Sequence, residues 1–273
     1  MSDGNGPEML TRVDGPGDPD VLTVTVDEVG VCTMELNRPD KRNALNEDLV
    51  AALHDAIGDA AVDPHVRVIV IRGAGNDFCS GADLAALEKI AEMGAEESLT
   101  DAQLMGDLFV GIRTVEKLIV AAVHGRALAG GAGLATACDL VLASESAEFG
   151  YPEVHLGFVP AMVMAILRRK LGESRAFELV ARGHRINAVE AERIGLVNRV
   201  FPDATFEADV DAYLADLAKR PASAIALSKR LFYGLDGMSF DEGVARGAEV
   251  NAIARLTEAC REGVRRFLAK AKG

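Results

Sequence analysis

Two segments of the 273-residue chain share one pattern: an apolar run with few polar breaks, a glycine-bearing turn and the start of a helix. The first, residues 66–84, reads VRVIVIRGAGNDFCSGADL, and the second, residues 118–134, reads LIVAAVHGRALAGGAGL. Such runs are typical of strands that are covered on both faces. Because these strands alternate with helical patterns, the chain is predicted to adopt an α/β fold.

The rest of the chain divides into regions around these two segments. Residues 1–20 are rich in Gly and Pro and are expected to form a flexible tail. Residues 21–200 are expected to form the core, and residues 201–273, which have little strand character, a C-terminal helical region. Within the core the predicted elements are a hairpin of strands 21–26 and 31–36, a helix 47–62 capped by Asn46, a helix from about 83, strands 66–71, 118–123 and 140–143, and helices 104–116 and 131–138.

Composition and charge limit the classes of protein to which the chain could belong. Hydrophobic residues make up 49% and charged residues 26%, and no apolar run reaches the roughly 20 residues of a membrane span. The start of the chain lacks the apolar core of a signal peptide, so the cytoplasm is the expected compartment. A net charge of −13 argues against an extended nucleic-acid site. The four cysteines form no CxxC pair, so reduced thiols are expected rather than a zinc site or a disulfide framework.

The two glycine-bearing turns each offer backbone N–H groups to a ligand. A helix N-terminus leaves its first N–H groups without internal partners, and the helix dipole favours negative charge there. Two such termini that met at one point would form an oxyanion hole, in which one donor is worth roughly 3 kcal/mol. Tight packing of a helix on a strand explains a glycine-rich turn equally well, so spacing alone leaves both interpretations open.

Glu153 is the most informative carboxylate of the chain. It lies among apolar residues in FGYPEVHLGFVP, residues 149–160. A carboxylate in such a setting has its charged form disfavoured, which brings its pKa nearer the range used for proton transfer. The alternative is that Glu153 turns outward to solvent. His124 and His155, which lie near these segments in sequence, are interpreted as structural histidines rather than as bases.

Five segments in this order resemble blocks of the crotonase superfamily, the enoyl-CoA hydratase/isomerase proteins. They are LNRPDKRNALN (36–46), FCSGADL (78–84), AAVHGRALAGGAGLATACDLVLAS (121–144), FGYPEVHLGFVP (149–160) and INAVEAERIGLVNRVFP (186–202). The resemblance implies a spiral of ββα units, with a C-terminal helical region that packs against neighbouring subunits in a homotrimer or a dimer of trimers. It also implies an enzyme of fatty-acid metabolism that acts on a CoA thioester, without a metal, nicotinamide or flavin.

The resemblance also assigns roles to particular residues. It places the oxyanion donors on the N–H groups of Ala82 and Gly130, and the general acid/base on Glu153. The CoA and acyl contacts would fall on Lys41, Arg42, Ala44 and Leu45, on Ala82, Asp83 and Leu84, and on Gly130 and Gly133. Lys41 and Arg42 would then make charge-assisted contacts with the CoA phosphates.

Gly133 departs from the pattern of the family's two-glutamate hydratases, which carry a glutamate at the corresponding place. One carboxylate is enough to move a proton from C2 to C4, so Gly133 favours 3-enoyl to 2-enoyl isomerisation, whereas the overall resemblance favours hydration of 2-enoyl-CoA. The glycine is also expected to enlarge the pocket, which could admit a branched or bulky acyl group or a polar group from elsewhere in the chain. An inactive acyl-CoA-binding paralogue is the non-enzyme alternative.

Overall fold

The computed structural model describes residues 21–271, in which two sheets are packed among helices. The strands are β1 (Leu22–Val26), β2 (Val31–Leu36), β3 (Val68–Gly73), β4 (Leu118–Val123), β5 (Arg126–Leu128), β6 (Leu140–Ser144), β7 (Glu148–Gly150), β8 (Arg185–Asn187) and β9 (Arg199–Phe201). The helices are α1 (Glu47–Val62), α2 (Leu84–Glu92), α3 (Ala95–Thr114), α4 (Gly130–Ala137), α5 (Ala161–Leu171), α6 (Glu173–Arg182), α7 (Ala188–Arg193), α8 (Phe206–Ala218), α9 (Ala222–Gly234), α10 (Phe240–Leu256) and α11 (Glu258–Lys270). Short 3-10 helices lie at Pro39–Lys41, Pro152–Leu156 and Leu235–Gly237.

The larger sheet has six strands in the order β1-β2-β3-β4-β6-β9. All neighbours are parallel except β1 and β2, which form the predicted antiparallel hairpin. One face packs against the main core, and the other carries Val70, Val120 and Leu142, which pack with Phe206 and Val210 of α8. The prediction that β3 and β4 are covered on both faces is therefore confirmed.

The smaller sheet has three strands in the order β5-β7-β8. β5 and β7 are parallel, and Cys79 pairs with Ala127 of β5 in a further parallel bridge. Residues 78–79, β5 and β7 thus run side by side in one direction. Each follows a strand of the larger sheet, namely β3, β4 and β6. This repeated succession of a long strand and a short segment forms the spiral. The residues that follow the three short segments therefore leave the smaller sheet at the same edge.

Several element boundaries differ from the predicted ones. The helix after Asn46 is confirmed, with the Asn46 side chain accepting a hydrogen bond from the Leu49 N–H at 3.1 Å. β3 begins two residues later than predicted, and α3 begins at Ala95 instead of near Leu104. The three strands of the smaller sheet were not predicted, because three residues are too few to show an alternating pattern. The predicted tail, residues 1–20, lies outside the described residues.

Beyond β9 the described chain is helical. α9 is joined to the core by Lys229, whose buried ammonium donates to the Asp139 carboxylate at 2.7 Å and to two backbone carbonyls. α10 and α11 expose large apolar side chains, including Phe240 and Phe267. Among residues 21–271, no helix is long and apolar enough to cross a membrane.

Candidate active site

Backbone hydrogen bonds place three turns next to one another. Cys79 donates to the Arg126 carbonyl at 2.9 Å, and Leu128 donates back to the Cys79 carbonyl at 3.0 Å. Ala129 donates to the Gly150 carbonyl at 2.9 Å. The first turn (residues 80–83), the second turn (residues 129–131) and the segment that carries Glu153 therefore begin at neighbouring points on one edge of the smaller sheet.

The first turn presents the N–H group of Ala82. Leu45 flanks it on both sides, donating to the Gly81 carbonyl at 2.7 Å and accepting from the Asp83 N–H at 3.0 Å. The Ala82 residue is exposed, and its own N–H donates to no group within residues 21–271. A backbone donor at the surface of the turn is thus available to a ligand, as an oxyanion site requires.

The second turn presents the N–H group of Gly130, the first residue of α4. This N–H also has no partner in the described part of the chain. Ala129, directly before it, has φ 50° and ψ −124°, a conformation that costs a residue with a side chain about 1–3 kcal/mol. A Cβ built on Gly81 would lie 3.7 Å from the Gly130 nitrogen. The structure therefore brings the two predicted donors close together.

Gly131 is required by the contact between the two turns. A Cβ added there would lie 2.3 Å from the Cys79 carbonyl oxygen and 2.7 Å from the Cys79 Sγ. No side chain fits at such distances, so the glycine lets α4 begin directly against residue 79. Burial raises the pKa of the Cys79 thiol to about 12, which keeps it protonated and unreactive at neutral pH.

An ion pair holds the first turn from the side. Arg38 donates to the Asp83 carboxylate at 2.6 Å and also to the Ala44 carbonyl, and both charged side chains are nearly buried. Asp83 in turn caps α2 by accepting from the Ala85 N–H at 3.0 Å. The hydrogen bond from Arg38, followed by the Ala85 N–H, lowers the pKa of Asp83. Arg38 was not among the residues predicted from sequence.

Asn43 is a second polar residue that the sequence did not single out. It is fully buried at φ 54°, and its side-chain amide donates to the Ala74 and Asp77 carbonyls at 2.8 and 2.7 Å. Its side-chain oxygen accepts from the Arg38 N–H at 2.9 Å. Asn43 therefore joins the segment before α1 to the loop after β3. Its only sequence signal is its place within the block 36–46, because a lone Asn has no periodic pattern.

The residues predicted to contact CoA lie in two settings. Lys41 and Arg42 are exposed, whereas Ala44 and Leu45 are buried at 5% and 4% exposure. The Arg42 carbonyl accepts from the Ser80 N–H at 3.0 Å, which places this segment against the first turn. The two cations are therefore free to meet a ligand beside Ala82, while the side chains of Ala44 and Leu45 belong to the core. Leu84 is the first residue of α2.

Glu153 lies in the 3-10 helix Pro152–Leu156 and is half-buried. Its Oε2 atom is buried and has no hydrogen-bond partner among the described residues. Burial raises the pKa of Glu153, and its own backbone N–H opposes this rise. Two residues earlier, the buried hydroxyl of Tyr151 hydrogen bonds with Thr136 of α4 at 2.5 Å. The segment before Glu153 is thus joined to the helix that begins at Gly130, and the half-buried Glu153 is not the fully solvated side chain of the alternative interpretation.

Gly133 does not enlarge the pocket, contrary to expectation. It is buried, and a Cβ built on it would lie 2.9 Å from the Cζ atom of Phe109 and 3.8 Å from the Cβ of Val163. The ring of Phe109, from α3, occupies the place into which a side chain at residue 133 would point. The physical reason is that α3 packs against the glycine, a contact that the sequence of α4 does not show.

Both histidines have hydrogen-bonded positions that fit a structural role. His124 Nε2 lies 2.9 Å from the Gly75 carbonyl, and His155 Nε2 lies 3.2 Å from the Gly183 carbonyl. Within the described residues, no group of three or more His, Cys, Asp or Glu side chains is arranged to hold a metal ion.

The spiral of short and long strands with a helical C-terminal region defines the chain as a crotonase-type protein. It superposes on the crystal structure of an enoyl-CoA hydratase from Mycobacterium smegmatis with a TM-score of 0.87 and 33% identity, covering 92% of this chain and 96% of the other. A structure from Legionella pneumophila, described as an enoyl-CoA hydratase/isomerase (crotonase), gives a TM-score of 0.85 at 32% identity over 92% and 97% of the two chains.

The chain belongs to the enoyl-CoA hydratase/isomerase family, whose sequence profile matches residues 27–273. A Thermus thermophilus protein with an enoyl-CoA hydratase name is 41% identical over 247 residues, which are 90% of this chain and 98% of the relative. The 2,3-dehydroadipyl-CoA hydratase of Escherichia coli is 35% identical over 242 residues, 88% of this chain and 92% of the relative. The predicted family and fold are therefore confirmed.

Proposed function

We propose that this chain catalyses proton transfer on enoyl-CoA thioesters, and that isomerisation of 3-enoyl-CoA to 2-enoyl-CoA is the reaction its geometry supports best. One observation carries the proposal: Glu153 has a buried carboxylate oxygen without a partner among the described residues, on a segment whose start, Gly150, is hydrogen-bonded to the turn that presents the Gly130 N–H. The other carboxylates of the same loops are committed, Asp77 to Arg126 at 2.7 Å and Asp83 to Arg38 at 2.6 Å. Glu153 is therefore the carboxylate that can exchange a proton.

In the proposed reaction the thioester carbonyl oxygen lies between the N–H groups of Ala82 and Gly130. Glu153 removes a proton from C2, the C2–H bond breaks, and the electron pair moves into the enolate. The two donors stabilise the negative oxygen, each by roughly 3 kcal/mol. The double bond then moves to C2–C3 as Glu153 returns the proton to C4. No water is consumed, and the carboxylate ends in its starting state.

The burial of Glu153 supports this role. A carboxylate with a raised pKa is a stronger base when it is ionised and holds the proton more readily between the two transfers. The link between Tyr151 and Thr136 keeps the segment before Glu153 fixed relative to α4. Proton removal and oxyanion stabilisation would thus be carried out by groups that are held together before substrate binds.

Hydration of 2-enoyl-CoA is the second candidate, and the names of relatives favour it. Besides the Escherichia coli protein, the crotonyl-CoA hydratase of Syntrophomonas wolfei is 35% identical over 249 residues, 90% of this chain and 94% of the relative. For hydration, a water molecule would form the C3–O bond while protonated Glu153 delivers its proton to C2, and the proton that the water loses would return to Glu153. That water would lack the second carboxylate that Gly133 replaces, so this reaction is expected to be the slower one.

The proposal extends to binding and assembly. Lys41 and Arg42, exposed beside the first turn, would contact the CoA phosphates, and no cofactor is required besides the CoA of the substrate. The exposed Phe240 and Phe267 of the C-terminal helices would be covered by other copies of the chain in a homotrimer or a dimer of trimers. The cytoplasm is the proposed compartment.

Two activities and one variant test this proposal. Purified protein is given 3-enoyl-CoA and 2-enoyl-CoA in turn, and the absorbance of the conjugated thioester is followed. A gain from the first substrate indicates isomerisation, and a loss from the second indicates hydration. Glu153→Gln should reduce turnover by at least about a hundredfold while acyl-CoA affinity stays near that of the parent chain. Glu145→Gln, a change at an exposed residue of the same region, is the matched control.

A second measurement separates catalysis from simple binding. A saturated acyl-CoA is incubated in heavy water, and deuterium incorporation at C2 is measured by mass spectrometry. Because exchange requires the enolate, the parent chain should incorporate deuterium and Glu153→Gln should not. Acyl-CoA binding without exchange or turnover would contradict the proposal and identify the chain as an inactive binding paralogue. Full activity of Glu153→Gln would overturn the role of Glu153.

A further inference from the structure

We propose that Phe109 determines the reaction specificity of this site, because its ring occupies the space beside Gly133 in which a water molecule or an acyl branch would otherwise lie. The inference rests on the proposed function, and it assigns to the site unbranched acyl groups that react by proton transfer. Phe109 belongs to α3, which lies between the first and second turns along the chain and outside all five sequence blocks.

The contact between Phe109 and Gly133 bears on the reaction because Gly133 lies on the same face of α4 as Gly130. Gly133 lies three residues after Gly130 on α4, and residues with this spacing share one face of a helix. The face of α4 that begins with the proposed oxyanion donor therefore continues to Gly133. A substrate whose carbonyl oxygen meets the Gly130 N–H would extend its reacting carbons near this face.

The ring of Phe109 covers this face of α4 at Gly133. From a Cβ built on Gly133, the distances are 2.9 Å to Phe109 Cζ and 3.4 Å to Phe109 Cε2. The first of these is shorter than side chains tolerate, so Gly133 and Phe109 are matched in size. Phe109 is only 5% exposed, which shows that the ring is packed in place.

The surroundings of the ring are apolar. Val163 of α5 lies on the other side of the Gly133 position, at 3.8 Å from the built Cβ. One turn before Phe109, Gly106 approaches Met162, with 3.8 Å between its built Cβ and the Met162 Cγ. A bound water needs two to four polar partners, and these side chains provide none. The corner formed by α3, α4 and α5 is therefore unsuited to hold water beside the acyl group.

This arrangement separates the two reactions. Hydration forms a C3–O bond and a C2–H bond and consumes one water, which must be held near the acyl carbons. Isomerisation breaks a C2–H bond, forms a C4–H bond and needs no water. Excluding water from this corner slows the first reaction without impeding the second. The same ring leaves no room for a branch that projects toward Gly133.

The experiment compares Phe109→Ala and Phe109→Leu with the parent chain and with Leu108→Ala. Leu108 is equally buried on the same helix, but none of its atoms is among the three nearest to a Cβ built on Gly133, so it controls for lost packing. For each protein the rates with 2-enoyl-CoA and 3-enoyl-CoA are measured on one preparation, together with the circular dichroism spectrum. A 2-methyl-branched and a straight 3-enoyl-CoA of equal chain length are compared in parallel.

Phe109→Ala should raise the ratio of hydration to isomerisation about tenfold, Phe109→Leu should raise it less, and Leu108→Ala should leave it unchanged. The parent chain should strongly prefer the straight substrate, and Phe109→Ala should reduce this preference. An unchanged ratio in a folded Phe109 variant overturns the inference, as does equal use of both substrates by the parent chain, a measurement that needs no variant. A parent chain without either activity would instead contradict the proposed function.

Discussion

The first and second turns have equivalent places in the spiral, but they are held in different ways. The first turn is fixed by side chains: Arg38 and Asp83 pair at 2.6 Å, and Asp83 caps α2. The second turn is fixed by its backbone, with Ala129 at positive φ and Gly131 directly against Cys79. One structural task, the presentation of a free N–H, is thus met by electrostatics in one unit and by close packing in the other.

This difference determines how each turn should respond to change. An ion pair can be weakened in steps, since a shorter or less well-shaped cation keeps part of the interaction. A contact between backbone atoms cannot be weakened in this way, because a single added carbon has no space. The second turn should therefore be the more sensitive of the two.

The largest effect is expected for Gly131→Ala. The new Cβ would lie 2.3 Å from the Cys79 carbonyl oxygen, so the contact between the two turns must open. We expect a loss of about 2 kcal/mol or more in the free energy of unfolding and a large loss of turnover. Denaturant unfolding and turnover with 3-enoyl-CoA measure these effects.

Gly58→Ala is the matched control for that variant. Gly58 is an exposed glycine within α1, and a Cβ added there meets no atom within 4 Å. Alanine should therefore stabilise the chain by about 0.5–1 kcal/mol through its helix propensity, with no change in turnover. Equal behaviour of the two alanine variants would contradict the account of the second turn.

An intermediate effect is expected for Arg38→Met. The variant leaves Asp83 nearly buried without its cation, which should cost about 1–3 kcal/mol and let the first turn move. We expect turnover to fall about tenfold, with a smaller change in KM, because Arg38 positions a donor instead of touching substrate. Arg38→Lys should keep part of the activity. Equal loss of turnover in Arg38→Lys and Arg38→Met would show that the positive charge of residue 38 does not hold the first turn.

The same variant should alter the pH dependence of stability. The pKa of Asp83 is lowered in the folded chain, so its contribution to stability is present above the ordinary aspartate range and is lost as pH falls through the lowered value. Without Arg38 this acid-side contribution should shrink. Thermal unfolding between about pH 3 and pH 7 would show a smaller pH dependence in Arg38→Met than in the parent chain.

The smallest effect on stability is expected for Glu153, whose buried Oε2 atom has no hydrogen-bond partner among the described residues. Its folded-state pKa is raised, so the folded chain loses stability as pH rises from the ordinary glutamate range through that raised value. Glu153→Gln removes this cost, because a partly buried amide is less unfavourable than an unpaired carboxylate. The variant should therefore unfold at a slightly higher temperature at neutral pH.

The pH dependence of that difference is the decisive measurement. Well below the ordinary glutamate pKa of about 4.3, Glu153 is protonated in both the folded and the unfolded state, and the advantage of Glu153→Gln should vanish. Glu145→Gln, at an exposed residue, is measured alongside as the control for loss of a carboxylate at the surface. A stability difference that was the same at all pH values would mean that burial of the charge is not its cause.

Much of the larger sheet and its helices could be predicted from local patterns. β4 was predicted with its observed bounds, and α1 with its cap at Asn46, because long apolar runs and capping residues act within a few neighbours. The smaller sheet could not be predicted in this way. Its strands have three residues each, and their pairing is decided by the layer beneath them.

Some residues of the candidate site could also be predicted, because family resemblance depends on short stretches of sequence. Resemblance to a family singled out Ala82, Gly130 and Glu153, because the segments around them have distinctive amino-acid sequences. Arg38 was missed, because a buried partner for Asp83 can come from any polar residue that the fold brings near. Phe109 was missed because α3 has an ordinary helical sequence, and nothing in it indicates a contact with Gly133.

The sequence by itself determined the family, the α/β class, the two glycine-bearing turns and the presence of a glycine at residue 133. These follow from short-range chemistry: apolar periodicity, helix capping and residues that permit close backbone approach. Only the tertiary structure decided what lies opposite that glycine. Packing between α3 and α4 depends on the three-dimensional path of the whole chain, and it placed the Phe109 ring where the sequence had suggested open space.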